Sequence, residues 1–214
     1  MIAVDGPSAS GKGTIAARLA EELNLAHMDT GAIYRLVGKQ MLAAGLDTND
    51  KYIATTAAKA LEKTFSPDML RDESLKSDEV GQAASQIAQW PGVRDALYKL
   101  QVSFAHNPPP DKDGTILDGR DIGTTIAPDA DVKLYITAKM ETRAERRRKE
   151  LQSKGFDVTY EAILADMRVR DTRDQERETV PARAADDAII VDTSDLNAYE
   201  AFNEALEIIL SKLS

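Results

Sequence analysis

Between a short apolar run, Ile2-Ala3-Val4, and a stretch with helical periodicity, residues 6–14 read Gly-Pro-Ser-Ala-Ser-Gly-Lys-Gly-Thr. That order of strand, glycine loop and helix limits what the chain can fold into more than any other feature. Gly6 and Gly11 let the backbone turn tightly, the loop amides converge on an anion, and the helix N-terminus adds its partial positive charge. Lys12 supplies a point charge able to follow β- and γ-phosphates, and the Thr14 hydroxyl falls near where a magnesium ion would sit. The run departs from G-x-x-x-x-G-K-[ST] at one place: Gly13 fills the hydroxyl slot and Thr14 brings the hydroxyl one residue late. Gly6, Pro7, Ser8, Ala9, Ser10, Gly11, Lys12, Gly13 and Thr14 are therefore candidates for holding nucleotide phosphates. The alternative is a strand-to-helix turn without a ligand, against which the lysine in its proper place argues.

A chain of 214 residues, 43% hydrophobic, suits one sizeable α/β domain with room for an inserted subdomain. Cysteine is absent, which excludes disulfides and thiolate-bound zinc or iron-sulfur centres, and His27 and His106 are the only imidazoles. Metal chemistry beyond oxygen-bound magnesium is thus not expected. The chain enters a strand at once and has no apolar run of about 18 residues, so a soluble cytoplasmic protein is expected. A net charge of -9 argues against broad nucleic-acid binding, which needs a basic face to release counterions. Any anion must then be held by local clusters, and residues 143–183 carry 11 of the 27 lysines and arginines.

Along the chain, Ile15, Leu19 and Leu23 repeat at helical spacing over 13–24, and residues 25–28 read as a second buried strand ending at Asp29. His27 there is expected to be a packed strand residue. Helices follow over 31–45, ending at Gly45, and over 51–64. Residues 65–78 lack periodicity and read as loop or short ribbon. Helices at 78–89 and 92–106 are divided by Pro91-Gly92, with Trp90 expected to anchor a core at the break. Strands are expected at 114–119, 131–137 and 187–192, each followed by a helical pattern, which is the mark of parallel strands joined by crossovers. The span 31–113 is too long for one crossover and is expected to hold an inserted substrate-binding subdomain.

In open parallel sheets ligands gather beyond the C-terminal strand ends, so residues 6–14, 29–35 and 118–121 should line one crevice. Arg35, one turn past a strand end, and Arg120 could clamp an acceptor phosphate, while Asp121 could accept from a base or sugar. An ion pair of Asp118 with Arg120 is the competing reading. Further on, Tyr160, Ile163, Leu164 and Met167 form an apolar stripe whose phase continues onto Arg170, Asp174 and Arg177. Charges that extend a core-facing stripe point into a polar pocket; the alternative ends the helix near Asp171 and leaves a salt-bridged surface loop. Arg143, Arg146 and Arg147 share one helical side. They form either a solvated face paired with Glu141, Glu145 and Glu150, or part of a mobile lid over a transferring phosphoryl group.

The segments GPSASGKGT, DTGAIYR, ASQIAQWPGVR, ILDGRDIGT and RDTRDQER, in this order, resemble those of the bacterial cytidylate kinases, and the likeness runs nearly end to end. GKGT alone resembles the wider nucleoside monophosphate kinase family; DGRDIGT with RDTRDQER is more specific to the CMP branch. The resemblance implies an α/β P-loop three-layer fold: a central parallel five-stranded sheet in a core of residues 1–30, 114–142 and 185–214, an NMP-binding insert of about 31–113 and a short lid of about 143–184. It implies transfer of the γ-phosphate of MgATP to CMP or dCMP. By position it implies that Thr30, Arg94, Asp121 and Arg177 read the cytosine edge, that Ser85, Arg170 and Asp174 hold the ribose, and that Arg35 and Arg120 take the acceptor phosphate. Lys12 and the loop amides would hold ATP, with Lys12 and Arg120 offsetting charge in the direct transfer, and Thr14 would meet the magnesium. No nucleic-acid or membrane partner is implied, and a monomer is expected.

Two rivals stand beside this reading. A P-loop kinase for another small acceptor, such as UMP, AMP or shikimate, is disfavoured for neutral acceptors by the phosphate-directed arginines. A nucleotide-gated binding module or GTPase-like switch lacks support, because no N-K-x-D guanine-reading motif occurs.

Overall fold

A computed structural model describes residues 1–176 and 181–213. The chain divides into two compact units, one of residues 1–28 and 105–214, the other of residues 29–104.

The first unit is built on a parallel sheet. Its strands are β1 (Ile2–Asp5), β2 (Ala26–Asp29), β3 (Thr115–Gly119), β4 (Val132–Thr137) and β5 (Ile189–Asp192), in the order β2-β3-β1-β4-β5. β1 pairs in parallel with β3 and β4, and β4 with β5. Side chains alternate across a strand, so Ile2 and Val4 share a face with Ile116, Val132, Leu134, Ile136 and Val191. Onto that face pack α1 (Lys12–Glu22) through Ile15 and Leu19, and α8 (Ala198–Leu213) through Phe202, Ala205 and Ile209. The central strand β1 runs out into the 6–14 loop, which is therefore delivered at the C-terminal edge of the sheet. A second apolar cluster joins α6 (Met140–Ser153) and α7 (Tyr160–Gln175) through Ala144, Leu151, Ile163 and Met167.

The second unit is helical: α2 (Thr30–Ala43), α3 (Lys51–Thr64), α4 (Asp78–Ile87) and α5 (Pro91–His106, whose last two residues belong to the first unit). Asp50 caps α3, its carboxylate accepting from the Tyr52 and Ile53 N–H groups, and Ser77 caps α4 through the Val80 N–H. Residues 65–78 are not a ribbon. They form two 3-10 turns, Pro67–Arg71 and Glu73–Lys76, started by Pro67 and by the Asp72 side chain, which accepts from the Ser74 N–H. Trp90 is half-buried rather than a core anchor, and its indole donates to the Thr48 carbonyl. Among the described residues no helix is long and apolar enough to cross a membrane.

Candidate functional site

The loop between β1 and α1 is shaped by two glycines in the left-handed region. Gly6 has φ +149°, and a Cβ there would run into the Ile136 carbonyl of β4; Gly11, at φ +94°, is the N-cap of α1 and has open space around it. Among the described residues no side chain caps α1 and no acid stands in its first turn, so the N-terminus of the helix suits an external anion. Lys12 reaches back to the Pro7 carbonyl at 3.3 Å, and Thr14 is exposed in the first turn. Among the described residues the Ser10 hydroxyl is fully buried and has no hydrogen-bond partner. Loop, lysine and helix terminus form a donor set that fits a chain of phosphates.

Two strand ends meet this loop. Asp5, the last residue of β1, accepts 2.8 Å hydrogen bonds from the Ile122 and Gly123 N–H groups, which fixes the turn at Ile122–Ile126 that follows Arg120 and Asp121. Burial pushes the Asp5 carboxyl up to about 7; the two amides and Lys12 pull the other way, and the Asp121 charge adds to the rise. At the end of β3, Asp118 is buried and bonds His27 Nε2 at 2.8 Å. On its other side, a Cβ on Gly13 would lie 3.6 Å from its Oδ1. His27 is thus more than a packed strand residue. Its strand-like surroundings in sequence carried no sign of this, because the partner lies 91 residues away.

Arg120 Nε donates to Asp174 Oδ2 at 3.0 Å and Nη1 to the Gly119 carbonyl, and Asp118 acts on it as a further opposite charge. Burial works against the Arg120 charge, but Asp174, with Asp171 and Asp118 behind it, more than compensates and holds its pKa above the ordinary value. Gly6, Pro7, Arg120, Tyr135, Asp171 and Asp174 line one small cleft. α7 runs unbroken to Gln175, so the ionic extension of its apolar stripe is helical, with Asp171 and Asp174 buried and Arg170 half-buried. Arg177 lies outside the described residues.

The basic helix α6 divides its arginines between two roles. Arg147 pairs with Glu150, and Arg148 with Glu145. Arg143 and Arg146 turn inward: Arg143 is buried against Asp171 at 2.7 Å, and Arg146 donates to the Thr193 hydroxyl at 2.9 Å and carbonyl at 2.6 Å.

In the second unit, Thr30 opens α2 and is buried, as are Ser85 on α4 and Arg94 on α5. Arg35 Nη1 donates to the Leu75 carbonyl at 2.7 Å, so the second 3-10 turn holds its guanidinium beside Gly81. Arg94 lies 5.9 Å from the centre of the Tyr34 ring. Asp121, in the first unit, is buried at the head of the Ile122–Ile126 turn.

Sheet order, glycine loop and uncapped helix define a P-loop α/β protein. A solved structure of an uncharacterized protein from Eubacterium ventriosum shares that fold at a TM-score of 0.54 and 15% identity, covering 98% of each chain. The family model for cytidylate kinase matches residues 2–211. A cytidylate kinase from Paramagnetospirillum magneticum is 54% identical over 99% of this chain and 98% of its own length. One from Rhodospirillum rubrum is 47% identical over the same shares. The chain belongs to the cytidylate kinase family.

Proposed function

We propose that the protein transfers the γ-phosphate of ATP to CMP or dCMP, giving ADP and CDP or dCDP by direct in-line displacement. Family membership over the whole chain supports the reaction. The observation that carries the chemistry is the cleft in which Arg120 shares walls with Gly6 and Pro7: a guanidinium held charged by carboxylates opens on the start of the phosphate loop. An arginine on a transferring phosphoryl group is worth roughly 10³ to 10⁵ in rate, and excluding water around it strengthens every charge contact.

In this reading residues 6–14 hold the ATP phosphates, Lys12 balances their charge, and Arg35 and Arg120 hold the acceptor phosphate. Thr30, Arg94, Asp121 and Arg177 read the cytosine edge, which offers an amino donor beside ring-nitrogen and carbonyl acceptors and so calls for both oxygen and guanidinium partners. Ser85, Arg170 and Asp174 hold the ribose. Magnesium, when bound, neutralises phosphate charge, and the Thr14 hydroxyl is the protein group at its expected position. Among the described residues no cluster of three His, Asp or Glu forms a cage, which suits an ion that keeps substrate phosphates and water as its main ligands. The functional division follows the same reading: core 1–30, 114–142 and 185–214, insert about 31–113, lid about 143–184, in a monomeric cytoplasmic enzyme with nucleotides as its partners.

The test is ADP release from MgATP with CMP, dCMP, UMP, AMP or shikimate offered separately, beside a control without acceptor. Turnover confined to CMP and dCMP is expected. Equal use of UMP or AMP would remove the base-reading roles of Asp121 and Arg177, and hydrolysis without acceptor would favour a nucleotide switch.

A further inference from the structure

A trans peptide carries its C=O and the following N–H on opposite sides of the C–N bond, so fixing the carbonyl fixes where the next amide points. Two carbonyls of the phosphate loop are gripped from helix α6. Arg143 Nη1 donates to the Ser8 carbonyl at 3.2 Å, and Arg146 Nη1 to the Ser10 carbonyl at 3.4 Å; the Thr193 hydroxyl also donates to Ser10, at 3.0 Å. Each gripped peptide leads into a left-handed residue, Ala9 at φ +57° and Gly11 at φ +94°. For alanine that conformation is sterically strained, so a loop without outside restraint would relax away from it. The Ala9 side chain packs against the apolar cluster of α6 and α7, a third hold on the same turn.

The arginines are themselves held. Arg143 Nε donates to the Ala138 carbonyl at 3.0 Å while Asp171 of α7 takes its Nη1. Arg146 spans the Thr193 hydroxyl and carbonyl. We propose that Arg143 and Arg146 are positioning residues of the phosphate cradle: by holding the Ser8 and Ser10 carbonyls they direct the Ala9 and Gly11 N–H groups away from α6, as donors for ATP phosphates, without touching the nucleotide. This separates them from Arg147 and Arg148 on the same helix, which pair with glutamates.

The proposal rests on reading residues 6–14 as the ATP cradle, and calorimetric titration of the parent protein with ATP tests that reading by itself. Given parental ATP binding, Arg143→Lys keeps the charge beside Asp171 but cannot fork to two carbonyls. Thr193→Val removes the hydroxyl that shares its bond between the Ser10 and Thr137 carbonyls and that receives Arg146, with no change of charge. Both are expected to weaken ATP binding, Arg143→Lys by roughly tenfold, to shift the Ala9 and Gly11 amide resonances of the ligand-free protein, and to leave CMP binding measured without ATP near the parental value. ATP affinity within twofold (about 0.4 kcal/mol) of the parent in both variants, or equal losses for ATP and CMP, would overturn the positioning role. Should Arg143→Lys fail to fold, Thr193→Val decides alone.

Discussion

Arg120 and Asp174, 54 positions apart, are joined by a 3.0 Å charge-assisted hydrogen bond with both side chains largely buried. The proposed function gives the two different parts of one acceptor, the phosphate and the ribose. Their pairing means that the guanidinium is oriented before any substrate arrives, and that a bound phosphate shares it with a carboxylate already in place.

Arg120→Ala is accordingly expected to lose activity by roughly 10³-fold or more. It also removes the charge that Arg120 sets against the buried Asp174, which is expected to lower stability. Arg120→Lys keeps a charge for Asp174 and separates the two effects: it should fold with nearly parental melting while activity stays low. Near-normal turnover by either folded variant would remove Arg120 from the transfer step.

The Asp5 carboxyl joins the root of the phosphate loop to the turn after Arg120 and Asp121. Since burial raises its pKa from 3.8 to about 7, folding takes up a proton between those values. The stability tied to that proton is complete below the unfolded pKa and is lost as pH rises through about 7. Urea unfolding at a series of pH values from 4 to 8 should give a declining stability, and Asp5→Asn should flatten the decline while weakening one of the two amide contacts. An equal slope in both proteins would mean that another group is responsible.

The two left-handed glycines of the phosphate loop should respond differently to a methyl group. Gly11→Ala meets no neighbour within 4 Å and suffers only backbone strain, about 1–2 kcal/mol, whereas Gly6→Ala also drives its Cβ into the Ile136 carbonyl of β4. Thermal melting should therefore rank Gly6→Ala well below Gly11→Ala, with ATP binding weakened in both. Equal melting temperatures would contradict the close approach of the loop root to β4.

The strands and long helices were legible because their signals are local. Asp50 followed by the Ala- and Lys-rich run to Thr64 marks its own beginning and end, and the apolar stretch Ile2–Val4 leading into Gly6 can hardly be anything but a strand feeding a loop. The turn of residues 67–76 was not legible, since 3-10 geometry rests on Pro67 and Asp72 without any hydrophobic period. The wiring of the site was legible only in part. The phase of α7 pointed Asp174 inward, but its partner, like that of His27 or Arg143, lies far along the chain and leaves no mark near it. Asp171, four residues past Met167, is buried on the same helix as Asp174, and its partner Arg143 likewise leaves no mark near it.

Arg35 allows the acceptor role to be tested apart from ATP. Its guanidinium is bonded to the Leu75 carbonyl, and the neighbouring Lys39 forms an ion pair with Asp72, so two cations of α2 are tied to the 3-10 segment and the fork of Arg35 is presented in a fixed plane. A lysine would keep the charge and lose the planar, bidentate geometry that suits a phosphate. Arg35→Lys should therefore raise the KM for CMP by at least tenfold, about 1.4 kcal/mol, and leave the KM for ATP unchanged. Steady-state kinetics with each nucleotide varied in turn distinguishes the outcomes. An unchanged KM for CMP would mean that Arg35 serves only to anchor Leu75, and parallel rises for both nucleotides would mean that the variant disturbs the fold rather than the acceptor site.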